Sequence, residues 1–324
     1  MASSSAPGRA VFVIGPGFIG GEIIALLEAA SAAFHKRGVK TVIGTLDDKV
    51  VIEEHVAVSD VVIHAATSRH LPSVEAVFAG IRRRAENSQE TIYIHTSGAT
   101  HLADNSAGSF KCDKIFDDDP RNKVDSAVLR GRQTVGPQAK ISLVVPPVVY
   151  GISEQSGRTS IQQPTLVRFS IKHGYAGQIG EGLSVWSHIH VKDLTRGYMV
   201  ILHWMERASA REVLANPFWF CENGQQLSWH ECAVAYGRAL HGMGYIPDSP
   251  VPKAIPPSDF CGLFGDYSEV AAGSNSRNKA SRLLKLGWEP AEKPTLASLV
   301  EDEVPSILKE SGSFEGSKGL VASS

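Results

Sequence analysis

Apolar positions in the first 150 residues alternate between short continuous runs and helical spacings. Ala10-Val11-Phe12-Val13-Ile14 is a continuous run that stops at a glycine, the pattern of a strand buried on both faces. From Ile19 to Phe34 apolar residues recur at helical spacing, among them Ile23, Ile24, Leu26 and Leu27. Val39 to Leu46 predicts a second strand, followed by Asp47-Asp48 and a short amphipathic helix to about Val56. Asp60 to Ala66 predicts a third strand ending in small residues, Ser73 to Ala85 a helix, and Thr91 to His95 a fourth strand. A loop rich in Asp, Gly and Ser spans Gly98 to Pro120. A helix over Val124 to Arg132 and a fifth strand, Ile141 to Val145, lead to Pro146-Pro147. Strand and helix alternating in this way predict right-handed βαβ units: an α/β fold with a doubly wound parallel sheet.

After Tyr150-Gly151 the pattern loosens. Gly174, Gly177, Gly180 and Gly182 fall in one stretch, and Pro247, Pro250, Pro252, Pro256 and Pro257 follow. This predicts a large domain over 10–150, rejoined by a strand and helix at about 186–205, with a smaller mixed region over 151–324. Residues 1–9 are small and polar, the composition of a frayed, disordered tail.

Composition narrows the class. The 32 Lys and Arg against 34 Asp and Glu give a net charge of −2, without the basic excess of a nucleic-acid binder. The one dense basic run, Arg82-Arg83-Arg84, falls in a helical pattern and predicts a solvated face. Four scattered cysteines make neither a disulfide framework nor a CxxC metal site. The N-terminus has no apolar core of a signal peptide, and the most apolar stretch, Ala10 to Phe34, is interrupted by Pro16, Glu22 and Glu28. These features predict a soluble cytoplasmic protein with no membrane and no nucleic-acid partner.

The strongest candidate site is Gly15-Pro16-Gly17-Phe18-Ile19-Gly20, a complete GxGxxG directly after a buried strand and at the start of a helix. Gly15 would allow the tight turn, Gly17 would let the backbone approach a pyrophosphate, and Gly20 would let helix and strand pack closely. The helix start, with Phe18 and Ile19, offers free N–H groups and a positive dipole end to phosphates. An acidic residue for the adenine ribose is expected further on; Asp47 and Asp48 are the nearest to close a strand, and Asp48 also suits a helix cap.

With these motifs in order, the chain resembles the extended or atypical short-chain dehydrogenase/reductases, the NAD-dependent epimerase/dehydratase group. The resemblance rests on Gly15 to Gly20, Val62-Ile63-His64-Ala65-Ala66, Thr96-Ser97-Gly98 and Pro146-Pro147-Val148-Val149-Tyr150-Gly151. His188-Ile189-His190-Val191-Lys192-Asp193-Leu194 and Gly287-Trp288-Glu289-Pro290 extend it to about residue 290. It implies a Rossmann-type sheet and NAD or NADP as cofactor, with 151–324 as the substrate-binding region. It also implies that Ala65, Ala66 and Thr67 line the ribose-phosphate side, that Ser97 is the catalytic serine, and that Pro146 to Val148 lie against the nicotinamide.

Two departures accompany the resemblance. The family uses a Tyr-x-x-x-Lys pair, yet no tyrosine occurs between Tyr93 and Tyr150. If Lys123 is the family lysine, Asp119 takes the tyrosine's position; an ordinary aspartate is ionised at neutral pH and donates no proton unless burial raises its pKa. Gly44-Thr45-Leu46-Asp47-Asp48 resembles the end of the family's third strand, so one strand–helix unit is missing. Val39 to Leu46 is expected to slide in beside the first strand. His188 and His190 alternate on one strand, but no third ligand follows at a fitting spacing, and no metal site is expected.

The expected activity is that of an NAD(P)-dependent oxidoreductase or epimerase-like enzyme on a small carbonyl or hydroxyl substrate. The alternatives are a non-redox isomerase, lyase or cyclase on the same scaffold, and a catalytically silent dinucleotide sensor. A homodimer is left open.

Overall fold

The apolar runs of the first half become the strands of one parallel sheet. The computed structural model describes residues 9–32, 40–67, 70–118, 127–311 and 314–317. In chain order the elements that position the site are β1 (Val11–Ile14), α1 (Phe18–Ala32), α2 (Lys49–Ala57), β2 (Val61–His64), α3 (Leu71–Glu86), β3 (Thr91–Thr96), α4 (Ala127–Val135) and β4 (Ala139–Val145). They continue with β5 (Val148–Tyr150), α5 (Gln162–His173), β6 (Val185–His190), α6 (Val191–Arg207), β7 (Phe218–Phe220), β8 (Gln226–Ser228) and α7 (Trp229–Gly242). The main sheet has the order β1-β2-β3-β4-β7, with every pairing parallel.

Because successive strand residues point to opposite faces, a sheet covered on both sides must be apolar on both. Phe12, Ile14, Val62, Tyr93, Ile141, Leu143 and Val145 point to one face, against Ile52 and Val56 of α2 and Val74, Val77, Phe78 and Ile81 of α3. Val13, Ile63, Ile92, Ile94 and Val144 point to the other, against Ile23 of α1 and Leu194, Tyr198, Ile201, Leu202 and Met205 of α6. Each fully buried aliphatic or aromatic side chain contributes about 1.5–3 kcal/mol relative to exposure. The architecture is the expected doubly wound, Rossmann-type α/β sheet.

The outer part of that sheet differs from expectation. Val39 lies outside the described residues, and residues 40–46 form no strand, so the predicted pairing beside β1 does not occur. Among the described residues β1 pairs with β2 alone. The physical reason is local: the Asp48 carboxyl accepts from the Thr45 backbone N–H and hydroxyl, and the Asp48 N–H donates to the Thr45 carbonyl at 3.2 Å. These bonds close a turn where a strand would have to continue.

The far edge also went beyond the sequence pattern. β7, from the second half of the chain, joins the main sheet beside β4 through Leu143↔Phe218, Val144↔Trp219 and Val145↔Phe220. A separate three-stranded sheet, β8-β6-β5, carries the link into the second half. β6 lies parallel to β5 and antiparallel to β8, and α6, which follows it, packs on α1.

Candidate functional site

The carboxyl ends of adjacent parallel strands bring four of the sequence motifs into one row. β1 runs into Gly15, β2 into Ala65, Ala66 and Thr67, β3 into Ser97, and β4 into Pro146. In open α/β sheets this edge is where ligands bind.

Gly15 has a φ of +86°, a left-handed backbone that glycine adopts without strain, and a Cβ there would come within 2.5 Å of Ala66. Gly20 presses on the Gly15 carbonyl oxygen, and a Cβ on it would overlap that atom and lie 3.5 Å from the Ala65 side chain. A Cβ on Gly17 would meet nothing within 4 Å. One glycine therefore turns the chain, one lets helix and strand close up, and one keeps an open approach to the first turn of α1. Phe18 and Ile19, half-buried, form that turn, and the Ala65 N–H donates to the Ile14 carbonyl at 2.8 Å. Free N–H groups at a helix start with an open face suit a diphosphate. These residues fit a dinucleotide.

Asp47 is exposed, and its Oδ1 lies 3.2 Å from His70 Nε2 at the start of α3. Asp48 precedes α2 as its N-cap residue, but its carboxyl serves Thr45 and makes no cap bond to the helix. Thr67 is buried at the end of the β2 segment.

Ser97 is 6% exposed, with its N–H donating to the Val144 carbonyl at 2.7 Å. The Ala99 N–H donates to the Pro146 carbonyl at 3.0 Å, which ties the Ser97 turn to the end of β4. Among the described residues no hydrogen bond fixes the Ser97 hydroxyl. Pro146 and Val148 are both buried, and Val148 pairs with His188 in the small sheet. Asp119 and Lys123 lie outside the described residues.

Described tyrosines near the strand ends offer no substitute acid. The Tyr93 hydroxyl is hydrogen-bonded to His95 Nδ1 at 2.9 Å inside the core, Tyr198 pairs with Thr96 Oγ1 at 2.7 Å, and Tyr150 donates to the Lys293 carbonyl at 2.8 Å. Burial pushes Tyr93 and Tyr198 far up and Tyr150 up to about 12. Beneath the site His64 and His95 face each other with ring centroids 5.2 Å apart. Desolvation pulls His64 down to about 4 and His95 well below the usual range, so both are neutral packing groups at pH 7.

The sequence reading missed Asp118. It is 1% exposed, accepts from the Phe220 N–H at one oxygen and the Arg282 N–H at the other, both at 3.0 Å, and its own carbonyl accepts from Asn216 Nδ2. It therefore moors the chain immediately before Asp119 to β7. A run of three aspartates carried no signal that the middle one was buried.

A surface groove of about 390 Å³, lined by Arg168, Lys172, Tyr245, Ile307 and Phe314, shares no residue with the strand-end row. Among the described residues no group of three or more His, Cys, Asp or Glu could hold a metal, and no helix is long and apolar enough to cross a membrane.

No family model matches the chain. The oxidase ucsJ of Acremonium sp. is 26% identical over 336 residues, covering 90% of this chain and 95% of that protein. The PbgP3 protein of Burkholderia pseudomallei is 15% identical, with a TM-score of 0.60 over 93% of this chain and 99% of its own. UDP-glucose 4-epimerase from Bifidobacterium longum, solved with NAD+ and UDP, is 17% identical, with a TM-score of 0.57 over 92% of this chain and 97% of its own. The likeness is one of fold: the chain shares the Rossmann-type α/β architecture of these solved structures.

Proposed function

We propose that the protein is an NAD(P)-dependent oxidoreductase or epimerase-like enzyme that acts on a small carbonyl or hydroxyl substrate. The observation that carries this reading is the division of labour among Gly15, Gly17 and Gly20, which leaves an open approach to the start of α1. The likeness to an oxidase and to epimerases supports it. The bound dinucleotide would supply hydride chemistry. Gly15 to Gly20 would hold its diphosphate, Ala65, Ala66 and Thr67 its ribose-phosphate side, Asp47 the adenine ribose, and Pro146 the nicotinamide end. Ser97 would orient the substrate oxygen. Lys123 would hold the second ribose, and Asp119 would move the proton if its surroundings raise its pKa enough.

A second reading is favoured by one sequence fact, the lack of any tyrosine between Tyr93 and Tyr150. It keeps the dinucleotide and drops turnover, leaving a sensor. Consumption of NADH or NADPH over a panel of small carbonyl compounds separates the two. Turnover on any member supports the enzyme, whereas saturable binding with no turnover favours the sensor.

A further inference from the structure

The loop after β5, residues 151–158, leads from the small sheet toward α5. It is held in shape by its own bonds: the Ser153 N–H donates to the Arg158 carbonyl at 2.9 Å, the Gly157 N–H to the Ser153 carbonyl at 2.8 Å, and the Ser156 N–H to Ser153 Oγ at 3.2 Å. The loop also reaches across to α1. Glu22, in the second turn of α1 and 6% exposed, accepts at Oε1 from Ser153 Oγ at 2.8 Å and from the Gln155 N–H at 3.1 Å. The fit is close, since a Cβ on Gly21 would lie 3.6 Å from the Gln155 side chain. On the loop's other side Glu154 pairs with Lys192 at the start of α6. Ser153 is fully buried beneath these contacts.

This placement has a consequence for the two ends of the candidate site. The diphosphate end is formed by β1 and α1, which belong to the main sheet. Pro146 follows directly on β4 of the same sheet, and β5, which begins two residues further on at Val148, belongs to the separate sheet with β6 and β8. A buried acceptor with two donors, one of them a backbone N–H, holds its partners in one geometry, because parting them strands polar groups away from water.

We propose that Glu22 is a positioning residue for the dinucleotide: its carboxyl latches the 151–158 loop onto α1 and so fixes β5 relative to the glycine turn. This rests on the dinucleotide reading above. The role requires an acceptor oxygen at position 22, which glutamine supplies and alanine does not.

The test compares Glu22→Ala, Glu22→Gln and the parent protein by thermal unfolding, by hydrogen exchange of residues 151–158 without ligand, and by titration with NADH and NADPH at a temperature where all three are folded. In Glu22→Ala the loop amides should exchange faster and the Kd of whichever of NADH and NADPH the parent binds should rise about tenfold, while Glu22→Gln should stay within about threefold of the parent in Kd. Unchanged loop exchange in Glu22→Ala would overturn the latch whatever the dinucleotide does. Faster exchange with an unchanged Kd would leave Glu22 a purely structural residue and overturn the positioning role, as would a glutamine variant as weak as alanine. A parent protein that binds neither NADH nor NADPH would overturn the dinucleotide reading, and the positioning role with it, while the exchange data still report on the latch.

Discussion

Gly20 presses on the carbonyl oxygen of Gly15, so closely that a Cβ at position 20 would overlap that atom. Replacing Gly20 by alanine must therefore move α1 away from β1. The expected cost is about 1–3 kcal/mol of stability, read as a lower Tm, together with loss of dinucleotide binding. Gly17→Ala separates the two effects, since its Cβ would point into open space. Its stability should change by less than about 0.5 kcal/mol. Its NADH Kd should nevertheless rise at least about tenfold, because the methyl would stand where the diphosphate approaches.

Ser97→Ala tests the role proposed for the serine. The hydroxyl has no fixed partner among the described residues, so removing it strands nothing and the fold should be unaffected. Turnover should fall about 100-fold with NADH affinity unchanged. Asp119→Asn should lower turnover in the same way; full activity in that variant would remove Asp119 as the acid/base.

Asp118→Ala would leave the N–H groups of Phe220 and Arg282 without acceptors inside the protein. The expected loss is on the order of 3 kcal/mol, visible in chemical denaturation. Asp118→Asn keeps one acceptor oxygen and should fall between the alanine variant and the parent.

Glu303 predicts an alkaline loss of stability. It is fully buried, and although the Gly151 N–H and the Ser160 hydroxyl face it, neither completes a hydrogen bond to its carboxyl oxygens. Desolvation raises it from 4.5 to about 8, with Asp302 adding to the rise and Arg168 opposing it. The folded chain thus holds this proton more tightly than the unfolded chain. Its contribution is complete below pH 4.5, shrinks as pH rises and is gone above about 8. The slope is at most about 1.4 kcal/mol per pH unit. Unfolding free energies measured across this range should decline in the parent and decline less in Glu303→Gln. On the acid side the sign reverses: burial lowers His64 to about 4 and His188 to about 3, so their contribution is lost as pH falls below 6.5.

Local pattern made the glycine turn and its flanking elements legible. The run Val11 to Ile14, the stop at Gly15 and the helical spacing after it each specify their own backbone, and β1 and α1 follow. Pairing was less legible, because it depends on partners far along the chain. Val42 and Ile43 have strand-forming side chains, yet a turn closed by Asp48 and Thr45 takes the local hydrogen bonds. Phe218 to Phe220 carried no periodicity long enough to distinguish a strand of the main sheet from loop packing. The polar ties at Glu22 and Asp118 were invisible for the same reason: their partners are more than 90 residues away. Sequence showed the turn that would receive a ligand, and the structure added what holds its surroundings in place.

The turn from Gly15 to Gly20 is proposed to bind a dinucleotide. Titrating the purified protein with NADH and with NADPH, followed by nicotinamide fluorescence, tests it most directly. Saturable binding of at least one of them at submillimolar concentration, abolished by Gly20→Ala, is the predicted result. No binding of either at millimolar concentration would contradict it.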